Sequence, residues 1–261
     1  TSGSTISYDV TNEGTIIAGD DGIEISSYSI VEGDITNSST GTINADTYGI
    51  LVSSSTVGGD ITNAGSIDAG YSGISLESSS SVDGNITNSG DIIADGTGIY
   101  LYYSSEVEGS IINNGMIDAG DVGIFLYEYI NVGGDITNSA DATIDADNEG
   151  IYSSWSNIDG DINNDGDIFA GEDGIHVSDS EVSGSITNSA DATIDADNEG
   201  IQVSDSDIGG DITNNGSITT TGGKGIIISP DSTVTGDITN SSTGSIVADQ
   251  EGIYVKDSSE V

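Results

Sequence analysis

The chain is built from short runs in which apolar and polar residues alternate, separated by turn-forming residues. Three runs recur in the same order: Val-x-Gly-Asp-Ile-Thr-Asn, then Gly-x-Ile-x-Ala, then Gly-Ile-x-Val. Alternation with a period of two is typical of β-strands, and the Ile, Val and Thr residues that fill these runs favour strands over helices. The pattern therefore predicts an all-β protein with three short strands in each unit.

The dipeptide Gly-Ile marks ten units, at intervals of 24 to 27 residues. Self-similarity at a period of this size is typical of stacked repeat folds. We therefore predict one domain over residues 1–261, a right-handed parallel β-solenoid of about ten coils of about 25 residues, roughly 48 Å long at about 4.8 Å per coil. In two neighbouring coils the inward side chains would be Ile35, Ile43, Ala45, Ile50 and Val52, stacked on Ile61, Ile67, Ala69, Ile74 and Leu76.

One Asn also recurs in each unit, two residues after an Ile or Val. At a point where a strand turns, Asn tolerates a left-handed backbone conformation, and its amide can stack on the same residue of the next coil. We interpret the Asn row as a structural ladder.

The net charge of the chain is -43, from 45 acidic residues against Lys224 and Lys256. Binding of nucleic acid and of anionic membrane surfaces depends on clustered Lys and Arg. No apolar run approaches the roughly 18 residues of a membrane helix. Cysteine is absent, which excludes disulfides and thiolate metal sites. We therefore expect no nucleic-acid partner and no direct insertion into a membrane.

The units of Gly-Asp-Ile-Thr-Asn, Gly-x-Ile-x-Ala and Gly-Ile resemble, along the whole chain, the repeats of bacterial autotransporter passengers and related large surface adhesins. The resemblance implies a right-handed β-helix at the cell surface or outside the cell. We therefore expect an extracellular structural rod and not an enzyme. It would be the stalk or passenger of an adhesin, or the subunit of an extracellular filament. Its expected partners are other copies of itself, in head-to-tail or lateral contact, and a host or matrix glycan or protein. The chain would be a slice of a longer array or a unit of a fibre.

The segment between the Ala of the second run and the next Gly-Ile is acidic in eight of the ten units. Carboxylates stacked at about 4.8 Å repel by roughly 0.9 kcal/mol in water, and a divalent cation would relieve that repulsion. Oxygen ligands suit Ca²⁺, the one cofactor that the pattern suggests. The alternative is a solvated acidic face that maintains solubility. The candidate Ca²⁺ ligands are Asp95, Asp121, Asp147, Glu149, Glu172, Asp173, Asp197 and Glu199.

Aromatic residues cluster at outward positions of three consecutive units. Such a patch can stack on sugar rings or pack against another rod, so the alternative function is a surface β-helix that binds or cleaves glycans. A second interpretation is a ladder that only stabilises the sheet. Ser153 replaces an apolar inward residue, so we predict that Trp155 folds inward to fill the gap. The patch contains Tyr100, Tyr102, Phe125, Tyr127, Tyr129, Tyr152 and Trp155.

His176, the only histidine, occupies the same outward position as Tyr100 and Gln202. With no Cys or second His in the chain, we predict that it is a solvated surface residue. Polysaccharide hydrolases on this fold need a local cluster of acids, whereas most acids here belong to the repeat. No catalytic residue is therefore assigned.

Overall fold

The computed structural model describes residues 3–256, which contain only β-strands and turns. The strands form four parallel sheets of ten strands each, and neighbouring strands come from consecutive coils. The predicted all-β parallel solenoid of about ten coils of about 25 residues is confirmed. Residues 1–2 and 257–261 of the predicted domain lie outside the described residues. Within 3–256 there is no helix long and apolar enough to cross a membrane.

The four sheets are named S1 to S4 in the order in which the chain visits them. S1 contains Thr5–Ile6, Ile30–Val31, Thr56–Val57, Ser81–Val82, Glu106–Val107, Asn131–Val132, Asn157–Ile158, Glu181–Val182, Asp207–Ile208 and Thr233–Val234. S2 contains Val10–Asn12, Ile35–Asn37, Ile61–Asn63, Ile86–Asn88, Ile111–Asn113, Ile136–Asn138, Ile162–Asn164, Ile186–Asn188, Ile212–Asn214 and Ile238–Asn240. S3 contains Thr15–Ala18, Thr42–Ala45, Ser66–Ala69, Asp91–Ala94, Met116–Ala119, Thr143–Ala146, Asp167–Ala170, Thr193–Ala196, Ser217–Thr220 and Ser245–Val247. S4 contains Ile23–Ile25, Tyr48–Ser53, Ser72–Glu77, Thr97–Tyr102, Ile124–Tyr127, Ile151–Ser154, Ile175–Ser178, Ile201–Ser204, Ile226–Ile228 and Ile253–Val255.

The prediction of three strands per coil is wrong, because the Val-x-Gly-Asp-Ile-Thr-Asn run bends in the middle and supplies both an S1 and an S2 strand. At the bend, side chains accept the backbone hydrogen bonds: the N–H of Asp60 donates to Oδ1 of Asp34 at 2.8 Å. A Cβ on Gly59 would lie 2.0 Å from the same oxygen, so glycine makes this close approach possible. The corner ladder consists of Asp9, Asp34, Asp60, Asn85, Ser110, Asp135, Asp161, Ser185, Asp211 and Asp237.

The apolar core is continuous through the coils. The ten side chains predicted to face inward in two neighbouring coils are all buried. In every coil but the last, the Gly of Gly-Ile lets S4 approach the core of the next coil. A Cβ on Gly123 would lie 2.2 Å from Cγ2 of Ile144 and 2.5 Å from the carbonyl oxygen of Gly150. Any larger residue there would push two coils apart.

The Asn residues at the ends of the S2 strands form a second ladder. Nδ2 of Asn138 donates to Oδ1 of Asn164 at 2.9 Å and to the carbonyl oxygen of Asp167 at 3.0 Å. The predicted stacking of amides is confirmed. None of these Asn residues has a positive φ, so the ladder does not use the left-handed conformation that Asn tolerates. The ladder consists of Asn12, Asn37, Asn63, Asn88, Asn113, Asn138, Asn164, Asn188, Asn214 and Asn240.

Candidate functional site

Five of the predicted patch residues form one stacked array on the outer face of S4. Tyr100, Phe125 and Tyr152 stack in consecutive coils, with ring centroids 5.4 and 5.0 Å apart. Tyr102 stacks on Tyr127 at 5.9 Å beside them. The two columns also contact each other, at 5.7 Å between Tyr100 and Tyr102. Because parallel strands in register repeat each side chain at the coil spacing, S4 itself creates this array. Each stacked pair contributes about 0.5–1.5 kcal/mol, so the array stabilises the sheet.

His176 extends the array by one coil. Its ring lies 4.8 Å from that of Tyr152, and its side chain is only 14% exposed. Nε2 of His176 lies 2.9 Å from Nε2 of Gln202 in the following coil. The prediction of a solvated histidine is therefore wrong, because rings and amides of adjacent coils cover this position. Burial lowers the pKa of His176 to about 4, so the ring is neutral at neutral pH.

The eight candidate Ca²⁺ ligands share the corner between S3 and S4 but occupy three different positions in it. The residue directly after S3 is acidic only in alternate coils. The first position after S3 holds Asp95, Asp147 and Asp197. The second holds Asp121 and Glu172, and the third holds Glu149, Asp173 and Glu199. Among residues 3–256, no three acidic or histidine side chains converge closely enough to hold a metal ion. The corner is a broad acidic surface without a coordination cage.

A Ca²⁺ effect at this corner is accordingly expected to be weak and spread over several coils. We predict that Ca²⁺ raises the melting temperature more than NaCl at equal ionic strength, because a divalent ion can bridge carboxylates of adjacent coils. Thermal melts with Ca²⁺, with NaCl and with a chelator measure this. If NaCl raises the melting temperature as much as Ca²⁺ does and the chelator has no effect, the acids form only a solvated face.

Asp173 is the most buried acid of the corner. Its Oδ1 accepts the backbone N–H of Glu199 at 3.0 Å. Burial raises the pKa of Asp173 to about 7; the hydrogen bond from Glu199 opposes this effect and the negative charge of Glu199 adds to it. Oδ2 of Asp173 lies 3.3 Å from Nδ1 of His176, but the neutral imidazole supplies no positive charge at neutral pH. Burial also raises the pKa of Glu149 in the preceding coil.

Replacing Asp173 with Asn is expected to raise the melting temperature clearly more near pH 8 than near pH 5, where only part of the penalty for burying the charge is present. Folding raises the pKa of Asp173 from 3.8 to about 7. The contribution of this group to the free energy of unfolding is therefore fully present below pH 3.8 and is lost as pH rises through about 7. The Asn variant keeps an oxygen for the N–H of Glu199 and has no charge to bury. Melts at both pH values measure the difference, with Asp95→Asn, at an exposed position of the same corner, as the control. Equal changes at both pH values would contradict this account.

Tyr129 and Trp155, predicted to belong to the same patch, lie around the next corner, between S4 and S1. Their side chains are 66% and 52% exposed, and their φ angles are 65° and 53°. The predicted inward position of Trp155 is wrong. Ser153 is buried and its Oγ donates to Oγ of Ser180 at 3.2 Å, so the inward serine is bonded within the core. A cleft of about 360 Å³ is lined by Tyr129, Ile130, Asn131, Trp155, Ser156, Asn157 and Asp179.

The two amide side chains of this cleft were not predicted as site residues. Asn131 and Asn157 are in-register neighbours in S1, and both are exposed. The same S1 position holds Thr, Ile, Ser, Glu or Asp in the other coils. An alignment of the S1 column in the sequence would have singled out this pair of amides.

No protein family model, curated protein or solved structure matches the chain. Its function is therefore inferred from the solenoid and from the side chains that the solenoid displays.

Proposed function

We propose that the chain is an extracellular structural rod, the stalk or passenger of a cell-surface adhesin or the subunit of an extracellular filament. The observation that supports this most directly is continuity: each of the four sheets runs through all ten coils. The apolar core and the Asn ladder run with them. A coil buries its apolar side chains largely against its neighbours, so the architecture gains stability by stacking. The resemblance of the repeats to adhesin passengers supports the extracellular location.

The charge of the rod is compatible with this role. The 45 acidic residues give a net charge of -43, which opposes nonspecific association of parallel rods at low salt. The proposal assigns the chain no catalytic role.

Electron microscopy of the purified chain and antibody labelling of the source cells test the proposal together. We expect rods roughly 48 Å long, from ten coils at about 4.8 Å, and labelling of intact cells. Labelling that requires permeabilised cells would overturn the extracellular location. Compact particles would overturn the proposal that the chain forms a rod.

The purified chain is also expected to associate end to end, and more strongly as salt increases. Among residues 3–256, the first and last coils each leave one edge of every sheet without a neighbouring strand. Apolar side chains near these edges are partly exposed, among them Val10, Ile16, Ile238 and Ile246. Salt screens the repulsion between acidic rods over about 8 Å at physiological ionic strength, whereas strand pairing acts at contact. Light scattering across a salt series measures this, and a monomer at every salt concentration would contradict it.

A second candidate function is recognition of a glycan by the exposed aromatic residues. The observation that favours it is the corner cleft, where Tyr129 and Trp155 expose more than half of their side chains. In the S4 array, by contrast, the rings cover one another. A binding site on the side of a rod is compatible with an adhesin stalk.

A further inference from the structure

The corner between S4 and S1 departs from the repeat at the cleft. In six other coils within residues 3–256, a buried Ser precedes the S1 strand, and its Oγ accepts the backbone N–H of the Ser in the preceding coil. The distance is 3.4 Å from Ser80 to Ser105 and 3.0 Å from Ser180 to Ser206. Ile130 replaces this Ser and interrupts the row.

The corner also becomes shorter at the same place. Glu128 and Tyr129 both have positive φ angles, whereas in the next coil only Trp155 does. The following two coils keep the shorter corner, with Asp179 and Asp205 at this position. The loss of one residue produces a step in the surface, and the cleft lies at that step.

Trp155 makes no contact that explains a tryptophan at this position. Positive φ disfavours bulky side chains, and the same corner position holds Ser54 or Asp179 in other coils. Within residues 3–256, the indole stacks on no other aromatic ring, and its N–H donates no hydrogen bond. Its face and its N–H are therefore both available to a ligand.

At the cleft the outward S1 position holds two uncharged amides, whereas the same position in the flanking coils is acidic. Glu106 precedes Asn131 in the S1 column and Glu181 follows Asn157, so two amides interrupt a row that is otherwise acidic here. Neither amide makes a side-chain hydrogen bond within the described part of the chain. Each offers two donors and an acceptor. Carboxylates at these two positions would favour a cationic ligand, whereas a pair of amides suits neutral hydroxyl groups.

An anionic ligand is disfavoured at the same place. Glu128 and Asp179 border the step, and the whole chain carries a net charge of -43. Sialic acids, uronic acids and sulfated sugars would be repelled. The volume of about 360 Å³ is near the lower end of the roughly 300–1,000 Å³ that small-molecule sites occupy.

We propose that the cleft binds an uncharged sugar residue of a glycan. The apolar face of the pyranose ring stacks on Trp155, Tyr129 forms the second wall, and the amides of Asn131 and Asn157 bond to the ring hydroxyls. This inference rests on the second candidate function, glycan recognition, and is independent of the rod.

The fluorescence of Trp155 reports on this cleft directly, because it is the only tryptophan of the chain. We expect a saturable change in intensity or wavelength on titration with lactose, cellobiose or N,N′-diacetylchitobiose. With 3′-sialyllactose, the anionic counterpart of lactose, we expect at least tenfold weaker binding. Tighter binding of 3′-sialyllactose than of lactose would overturn the proposal that the bound sugar is uncharged.

Variants locate the site. Trp155→Ser and Tyr129→Ser are each expected to weaken binding at least tenfold on a glycan array and by calorimetry. Ser is the residue that the repeat itself places at this corner, for example at Ser54. Tyr28→Ser is the matched control, because Tyr28 is equally exposed at 68% and has a φ of 63° at the same corner of a distant coil. This control is expected to bind like the parent. Thermal melts establish that each variant is folded.

The outcomes separate the inference from the functions proposed above. If no neutral glycan on the array or in the titrations binds even at millimolar affinity, the sugar site and glycan recognition both fail, while rods seen by electron microscopy still stand. If glycans bind but Trp155→Ser binds as well as the parent, recognition occurs elsewhere on the rod and the assignment to this cleft is overturned.

Discussion

Replacing Ile124 with Asp is expected to prevent the rod from unfolding as one cooperative unit. Ile124 is fully buried and pairs in register with Ile99 below and Ile151 above. A carboxylate there would lie unpaired between two apolar side chains, and we expect a loss of more than about 4 kcal/mol. Because each coil packs mainly against its neighbours, the substitution is expected to uncouple the coils that precede Ile124 from those that follow it. Thermal and denaturant unfolding followed by circular dichroism measure the effect.

The matched control is Ile112→Asp in the same coil. Ile112 faces outward from S2, where it pairs with Thr87 and Thr137. A carboxylate at this position stays hydrated, so we expect a midpoint close to that of the parent. If Ile124→Asp also unfolded cooperatively at the parent's midpoint, the Gly-Ile column would not form the core.

The period-two pattern was sufficient to predict the solenoid and the inward face, because stacked strands repeat one side-chain pattern in every coil. It was not sufficient to predict the number of strands. The Val-x-Gly-Asp-Ile-Thr-Asn run alternates without interruption, yet it turns at Gly-Asp. There the Asp side chain, as in Asp34, replaces a backbone acceptor. A polar residue that caps a corner and a polar residue that faces solvent look alike in a single sequence.

The sequence was sufficient to predict those site residues that are brought together by the in-register stacking of coils. The array from Tyr100 to Tyr152 lies in one outward column, and spacing alone brings its members together. His176 belongs to the same column, but its burial depends on the neighbouring rings and on Gln202, which composition does not reveal. Trp155 could not be placed from periodicity, because it lies at a corner whose length changes from coil to coil.

Replacing Asn138 with Asp is expected to destabilise the rod by roughly 3 kcal/mol or more at neutral pH. Asn138 is fully buried, and its Nδ2 donates to Oδ1 of Asn164 and to the carbonyl oxygen of Asp167. The carboxylate would have nearly the same shape but no N–H, so a buried negative charge would face two acceptor oxygens. Its oxygen would still accept from Nδ2 of Asn113. Unfolding measured against the parent at the same pH gives the difference.

The pH dependence of this variant distinguishes loss of the ladder from loss of packing. Near pH 4 the new carboxyl group takes up a proton, and its O–H can donate to Oδ1 of Asn164. One of the two lost hydrogen bonds is then restored and the buried charge is removed. The destabilisation relative to the parent should therefore be clearly smaller near pH 4 than near pH 7. Asn114→Asp is the control, because Asn114 is exposed and its Oδ1 only accepts, from Oγ of Ser139. A penalty for Asn138→Asp that is the same at both pH values would mean that the amide row fills space without hydrogen bonding the coils together.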